Sequence, residues 1–291
     1  MPRGRIVKAL SGFYYVESEE ELYQCRGRGN FRNRSITPLV GDWVEFDAEN
    51  KTDGYVMSIE ERSNELVRPP IANVDQAVLV FSVKEPEFST YLLDKLLVHT
   101  ESNGISAVIC LTKTDLGLED KTLDKIQEYE KIGYEVIYTT KDNKSPVEKL
   151  LPVLENKVSV FAGQSGVGKS SLLNVIDPGL NIETDIISKS LGRGKHTTRH
   201  VELVKLTGGG YVADTPGFSS LDFRGISSGI LSHFYPEMAA LINDCKYRGC
   251  THINEPKCAV KKAVDDGSIA EFRYESYTQF YQEIQSQKRR Y

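Results

Sequence analysis

Up to residue 68 the apolar positions come in short runs with no long helical pattern. These runs predict strands over Gly4–Ala9, Gly12–Glu17, Glu20–Arg26, Asp42–Phe46 and Gly54–Glu60. Gly12, Gly41 and Asp53-Gly54 punctuate them as turns. Five strands in so short a stretch suit a small barrel of the OB type, a frequent nucleic-acid platform. From residue 69 to 222 the pattern changes to alternating β and α. The runs Val74–Val83, Ile105–Leu111, Tyr134–Tyr138 and Val158–Ala162 are β-branched and read as strands of a buried parallel sheet. Between the first two, Leu92, Leu93, Leu96 and Leu97 fall at helical spacing. From residue 223 onward the chain looks helical. The expected architecture is therefore multidomain: a β-barrel over 1–68, an α/β domain over 69–222, and a mainly helical domain over 223–291.

Composition narrows the class without naming a function. Apolar residues make up 40% and charged residues 26% of the chain, the values of an ordinary soluble globular protein. No stretch approaches the ~20 apolar residues of a membrane span. The basic start, Met1-Pro2-Arg3-Gly4-Arg5-Ile6, lacks a signal-type apolar core, so a cytoplasmic protein with no membrane partner is expected. A net charge of −5 argues against a wholesale nucleic-acid coat, leaving RNA contact to local patches. One such patch is Arg26-Gly27-Arg28-Gly29-Asn30-Phe31-Arg32-Asn33-Arg34, whose arginines can track phosphates while the aromatic stacks on a base. A solvated loop is the other reading of the same residues. Arg224, Lys246, Arg248, Lys257, Lys261 and Lys262 make the last segment locally basic, and Lys288-Arg289-Arg290 lies at its end.

The chemistry concentrates in the middle. Gly163-Gln164-Ser165-Gly166-Val167-Gly168-Lys169-Ser170 fits the phosphate-loop pattern G-x-x-x-x-G-K-[ST], entered from the strand Val158–Ala162 and left through a helix beginning Ser171-Leu172-Leu173. Glycines let the backbone curl so that its N–H groups face phosphate oxygens, and the helix N-terminus adds a favourable field. Lys169 can reach the β- and γ-phosphates, and Ser170 can place its hydroxyl on Mg²⁺. Downstream, the strand-like run Gly210-Tyr211-Val212-Ala213 leads into Asp214-Thr215-Pro216-Gly217. There Asp214 can hold Mg²⁺ through a water, and Gly217 can offer its N–H to the γ-phosphate.

Upstream, Thr112-Lys113-Thr114-Asp115 follows the strand Ile105–Leu111 and resembles the guanine-reading N-K-x-D of GTPases. The Asp115 carboxylate accepts from both N1–H and the 2-amino group of guanine, two donors that adenine lacks there. Lys113 would lay its aliphatic stem along the base. Thr112 stands where the pattern has Asn, which weakens the usual amide bridge while leaving base choice to Asp115. Thr139-Thr140-Lys141 resembles the S-A-K loop, placing Thr140 against the guanine carbonyl. The chain order is thus guanine loops first and phosphate loop second, a circular permutation, which a compact domain with nearby termini tolerates.

Five cysteines are an odd number, and a reducing compartment disfavours disulfides. Cys245, Cys250, His252 and Cys258 cluster within a short span and suit a closed, structural, tetrahedral Zn²⁺ site, one ion per chain. Cys25 and Cys110 lie in strand-like runs and read as small core residues.

Together these three segments resemble the RsgA (YjeQ/YloQ) family of circularly permuted GTPases over essentially the whole chain. The resemblance implies a GTPase that binds the small (30S) ribosomal subunit late in its maturation and hydrolyses GTP to GDP slowly unless that subunit stimulates it. It also implies rRNA contact through the barrel and the zinc domain, with rRNA binding and release of other assembly factors coupled to nucleotide state. A monomer is expected. Residue by residue, Gly163 to Ser171 become the phosphate and Mg²⁺ loop, Thr112 to Asp115 with Thr140 the guanine site, and Asp214 and Gly217 the Mg²⁺-linked and γ-phosphate-sensing pair. Cys245, Cys250, His252 and Cys258 become the zinc ligands.

Gly192-Arg193-Gly194-Lys195-His196-Thr197-Thr198-Arg199-His200 is the switch loop, with Thr198 favoured over Thr197 as the Mg²⁺ ligand. Phe218 stands where a Ras-like enzyme has its water-orienting Gln and offers no polar atom. His196 is the candidate for water activation in this chain, with a solvent-facing loop residue as the alternative. Two other functions compete: a small-molecule kinase, opposed by the guanine logic of Asp115, and a zinc-dependent nucleic-acid module with a vestigial site, opposed by the intact Lys169, Ser170 and Asp214.

Overall fold

The computed structural model describes residues 1–28, 31, 36–67, 69–140, 145–180, 201–214, 223 and 225–288, with 145–147, 214 and 288 described in the backbone only. The strands are β1 (Arg3–Leu10), β2 (Phe13–Ser18), β3 (Glu21–Gly27), β4 (Trp43–Asn50), β5 (Asp53–Ile59), β6 (Glu65–Val67), β7 (Pro70–Ala72) and β8 (Gln76–Ser82). They continue with β9 (Ser106–Thr112), β10 (Glu135–Tyr138), β11 (Val158–Ala162), β12 (Glu202–Lys205) and β13 (Tyr211–Asp214). The α-helices are α1 (Thr90–Ser102), α2 (Asp120–Ile132), α3 (Ser145–Leu154), α4 (Lys169–Ile176), α5 (Pro236–Ala239), α6 (Ala259–Asp265) and α7 (Glu271–Lys288). The chain divides into two compact units, Met1–Val80 with Asp142–Ser219 and Phe81–Lys141 with Ser220–Tyr291.

In the first unit, β1, β2 and β3 form an antiparallel meander. β3 pairs β5 in parallel, β5 pairs β4 antiparallel, and β4 returns to β1. This closes the five-stranded barrel expected from the first segment. Ile6, Val16, Cys25, Val44, Phe46 and Val56 on its strands are at most 1% exposed, so Cys25 is a core residue as read. β4 runs on to Asn50 rather than stopping at Phe46, because Asp47 and Glu49 fall on the exposed side of the alternation while the backbone keeps pairing with β5.

Parallel pairing joins β8 to β11 and β11 to β13. β8 and β11 are buried at every residue, as strands covered on both faces must be. The polar Gln76 is buried in β8 and fully engaged. Its amide donates to Val153 O (2.7 Å) and Ser159 Oγ (2.9 Å), and its carbonyl accepts from Lys157 Nζ at 3.0 Å. β12, a strand the apolar pattern did not reveal, pairs antiparallel with β13 and meets β1 at Lys8↔Glu202, so the barrel and this sheet are continuous. The turn between β12 and β13 needs glycine at Gly210 (φ +82°), where a Cβ would lie 2.2 Å from Leu154 O.

In the second unit β9 and β10 pair in parallel, and Cys110 is fully buried in β9. The C-terminal helices share one core with α1: Val98, Phe223, Leu231, Tyr235, Met238, Tyr277 and Phe280 are all buried in it. Inside this unit lies a cation. Arg273 of α7, 1% exposed, donates from Nη1 to Asp94 Oδ1 of α1 at 2.5 Å and from Nε to Glu237 Oε1 at 2.7 Å. The Tyr129 hydroxyl donates to the same Asp94 oxygen at 2.6 Å, and the guanidinium lies 4.6 Å from the Tyr235 ring centroid. At the surface end of the same helix pair, Lys95 meets Glu283 at 3.0 Å. Among the described residues no helix is long and apolar enough to cross a membrane.

Removing one member of a buried ion pair strands the other without solvent. Arg273→Met is therefore expected to destabilise the protein by about 3–5 kcal/mol, read as a lower urea midpoint of the full chain. A cost below about 1 kcal/mol would mean that Asp94 is not held as an anion.

Candidate nucleotide loops and metal centre

The phosphate loop owes its shape to what lies beneath it. β11 delivers the chain to Gly163 at φ +146°, where a Cβ would sit 2.1 Å from the Val80 carbonyl oxygen of β8. That oxygen belongs to a buried strand and cannot yield, so only glycine fits. Gly166 (φ +83°) and Gly168 (φ +96°) complete the curl, and Gly168 is the N-cap of α4. Val167 is 1% exposed and pins the loop to the core. Lys169 folds back over the loop, its Nζ donating to Gly163 O and Gln164 O, each at 2.7 Å. Burial lowers its pKa, so an anion beside it gains a partly desolvated cation. Ser170 is buried at the first turn of α4, and Ser171, next to it, is exposed. β13 runs parallel to β11 with Ala213 opposite Val160, so Asp214 and the phosphate loop emerge at the same edge. That edge is the carboxyl end of the strands, where crevices of open α/β sheets lie.

The guanine-type loops come together in the second unit. β9 ends at Thr112, Lys113 takes the left-handed conformation (φ +58°), and a short 3-10 turn, Thr114–Leu116, carries Asp115. The Thr114 backbone N–H (3.3 Å) and hydroxyl (3.1 Å) both donate to Thr139 O. Thr139 in turn donates to Leu111 O from its N–H (2.7 Å) and its hydroxyl (3.1 Å). These bonds lock the Thr112–Asp115 loop to the Thr139-Thr140 loop. The Thr140 hydroxyl is buried with no hydrogen-bond partner among the described residues. Thr112 is 6% exposed, and its hydroxyl donates to Phe81 O at 3.2 Å, so the side chain that replaces the pattern's Asn serves the sheet. The Lys113 amine donates to Glu85 O.

In the C-terminal helices the ligand atoms of Cys245, Cys250, His252 and Cys258 all lie within 4.8 Å of one another. His252 Nδ1 is 3.6 Å from Cys245 Sγ and 3.2 Å from Cys258 Sγ, and the two sulfurs are 3.9 Å apart. A tetrahedral zinc with bonds of about 2.0–2.3 Å has ligand edges of about 3.5–3.8 Å, so the cluster fits such an ion. Burial raises the Cys250 thiol, and a bound cation is what would make it a thiolate. The shell around the cluster is built for anionic sulfur: Ala259 N–H points at Cys245 Sγ (3.4 Å) and Lys261 N–H at Cys258 Sγ (3.5 Å), at the start of α6. His252 takes a left-handed backbone (φ +59°), and α7 holds that turn through Tyr274 OH to His252 O and Tyr277 OH to Thr251 O, each at 2.6 Å. Burial opposes the charge of Glu255, yet the N–H groups of Thr251 and Ile253 and the Thr251 hydroxyl outweigh it and draw its carboxyl down to about 2.

His196, Thr197, Thr198, Gly217 and Phe218 lie outside the described residues, as do Lys141 and the side chain of Asp214. Of the arginine-rich stretch, Arg26 stacks over Phe13 (5.1 Å) and Arg28 reaches Met57 Sδ (3.7 Å), while Arg32 and Arg34 are outside the described residues.

The fold and its loops define a circularly permuted P-loop GTPase with an N-terminal OB-type barrel and a helical, metal-competent C-terminal region. A family model described as RsgA GTPase matches residues 59–224, and one described as RsgA N-terminal domain matches residues 3–56. The chain is 60% identical over 294 residues to the small ribosomal subunit biogenesis GTPase RsgA of Shouchella clausii, covering 100% of both. It is 54% identical over 299 residues to the protein of the same name from Bacillus subtilis, again covering 100% of both. It superimposes on the crystal structure of YloQ, a circularly permuted GTPase, with a TM-score of 0.84 at 50% identity, covering 99% of this chain and 96% of that one. YjeQ from Thermotoga maritima gives a TM-score of 0.84 at 39% identity, covering 97% of this chain and 98% of that one. This chain belongs to the RsgA family of GTPases.

Gly163→Ala places a Cβ against a strand carbonyl at a φ that side chains avoid. It is expected to cost about 2 kcal/mol or more and to abolish measurable GDP binding, as followed by urea unfolding and calorimetric titration. Wild-type GDP affinity in this variant would mean that the loop does not need the close pass over Val80.

Proposed function

We propose that this protein is a GTPase of late small-subunit maturation, hydrolysing GTP slowly until the 30S subunit stimulates it. The observation that carries the reading is full-length identity of 60% to a protein named for small ribosomal subunit biogenesis, on a chain whose phosphate loop is sterically intact. Three functional domains, 1–68, 69–222 and 223–291, divide the work. The backbone N–H groups of Gly163 to Ser171 cradle the phosphates, and Lys169 neutralises charge on the β- and γ-phosphates. Asp115 reads guanine with Lys113 and Thr114 beside it, Thr112 supports the loop from the sheet, and Thr140 flanks the base carbonyl.

Ser170, Thr198 and, through a water, Asp214 would hold Mg²⁺ when it is bound with GTP, and the ion would supply positive charge against that developing on the phosphates. Gly217 donates its N–H to the γ-phosphate, and Phe218 leaves water activation to His196 or to a group of the subunit. Zn²⁺, held by Cys245, Cys250, His252 and Cys258, is structural. The barrel and the zinc region contact rRNA, and nucleotide state governs that contact and the release of other assembly factors from the subunit. The protein acts as a cytoplasmic monomer.

Asp115→Asn replaces a pure acceptor with a group that also donates, which suits xanthine better than guanine. GTP affinity should fall by about 100-fold while XTP affinity rises. Unchanged GTP affinity would remove Asp115 from the base pocket. Freshly purified protein should contain one zinc per chain by elemental analysis. Cys250→Ala should lose it and unfold at lower urea, because binding energy at a structural site is folding energy. At the level of the whole reading, purified 30S subunits should bind the protein more tightly with a non-hydrolysable GTP analogue than with GDP. Equal affinities would break the proposed coupling.

A further inference from the structure

β12 and β13 form a hairpin wedged between the phosphate-loop strand and the barrel. On one side β13 makes a three-residue parallel register with β11, from Val158↔Tyr211 to Val160↔Ala213. On the other side the backbone register between β12 and β1 is a single pair, Lys8↔Glu202. Side chains therefore make most of that junction. Lys8 Nζ meets Glu202 at 2.9 Å, Lys205 Nζ meets Glu17 Oε1 at 2.7 Å, and the Tyr211 hydroxyl donates to Glu17 Oε2 at 3.1 Å. Glu17 of β2 thus grips one residue of each hairpin strand with its two oxygens. Glu17's side chain is 18% exposed and that of Lys205 50%, so the partly buried Tyr211 bond is the one better shielded from the screening that makes open surface pairs nearly worthless.

The hairpin matters because of what its open ends lead to. In sequence, β12 begins two residues after His200, and β13 terminates in Asp214. β13 has only four residues, so little backbone separates Asp214 from Tyr211. Parallel strands resist slipping by one residue because every side chain would change face. Any movement of Asp214 with its strand would therefore carry Tyr211 along as one unit.

We propose that Glu17 is a positioning residue for the GTPase reaction: its bonds to Lys205 and Tyr211 fasten the Asp214-bearing hairpin to the barrel, so that nucleotide state and barrel are coupled. This rests on the nucleotide-site reading above. By linkage, whatever shifts the barrel shifts nucleotide preference equally. A reporter is built in. Arg5 of β1 lies 5.4 Å from the Tyr211 ring centroid and 4.4 Å from that of Trp43, and Arg3 lies 4.1 Å from Trp43 on the same barrel. Trp43 is the only tryptophan in the chain, so its emission reports this stack alone.

The experiment uses the full-length protein with GDP or a non-hydrolysable GTP analogue, reading Trp43 emission and, separately, nucleotide affinity by calorimetry. Wild-type emission is expected to differ between the two nucleotides. Glu17→Ala should lose that difference, lower kcat and alter the ratio of GTP-analogue to GDP affinity that the coupling sets. Tyr211→Phe, which keeps the ring beside Arg5 and deletes only the hydroxyl, should weaken it. It also carries the test by the same criterion if Glu17→Ala does not fold. Glu17→Gln, still an acceptor for Tyr211, should restore part of the signal. Identical wild-type emission in both states, or an undiminished difference in Glu17→Ala and Tyr211→Phe, overturns the coupling. Failure of the wild-type chain to bind either nucleotide instead overturns the nucleotide-site reading, and the proposal falls with it.

Discussion

The pairing of β11 on both edges is the constraint on which the first unit depends. A strand hydrogen-bonded in parallel to β8 and to β13 cannot slide, and its burial at every residue forbids it to rotate. The chain must then leave the sheet over the Val80 carbonyl, where only Gly163 fits. From that forced turn follow the curl of the loop, the N-terminus of α4 and the reach of Lys169 across the loop. The same pairing brings Asp214 to the edge from which the loop emerges. The shape of the Gly163–Ser170 loop is a consequence of sheet register as much as of motif.

The second unit is organised by two groups that a purely apolar core would not contain. Arg273 draws α1, α5 and α2 towards α7 through Asp94, Glu237 and Tyr129. Such a network contributes little to net stability when compared with apolar replacements, but it tolerates only one arrangement of its partners. The Cys and His cluster does similar work at the same N-terminal end of α7, where Tyr274 and Tyr277 tie the helix to the His252 turn. The guanine-type loops share this unit with both.

Different residues were legible in the sequence to different degrees, and the reason is range. The phosphate loop was legible because its requirements are local: glycines for positive φ, a lysine and a serine at fixed steps, a strand before and a helix after. The metal cluster was legible because its ligands sit within a few turns of chain. Barrel strands and buried parallel strands showed in their apolar runs to within a few residues at their ends. β12 was not legible, since Glu202-Leu203-Val204-Lys205 is too short and too polar to show a period. Its strand character comes from β13 and β1 supplying hydrogen-bond partners.

What the sequence determined by itself was therefore the set of chemical parts and their order: a phosphate loop, guanine-type loops placed before it, an Asp-x-x-Gly after it, and a cysteine–histidine cluster. Their backbone and ligand demands are satisfied by neighbours in the chain. Only the tertiary structure decided that Thr112 turns its hydroxyl into the sheet, that Glu17 grips both strands of the β12–β13 hairpin, and that Arg273 is buried against Asp94. Each of these joins residues far apart in sequence, and a charged or polar side chain announces its burial only when the partner that compensates it is in place.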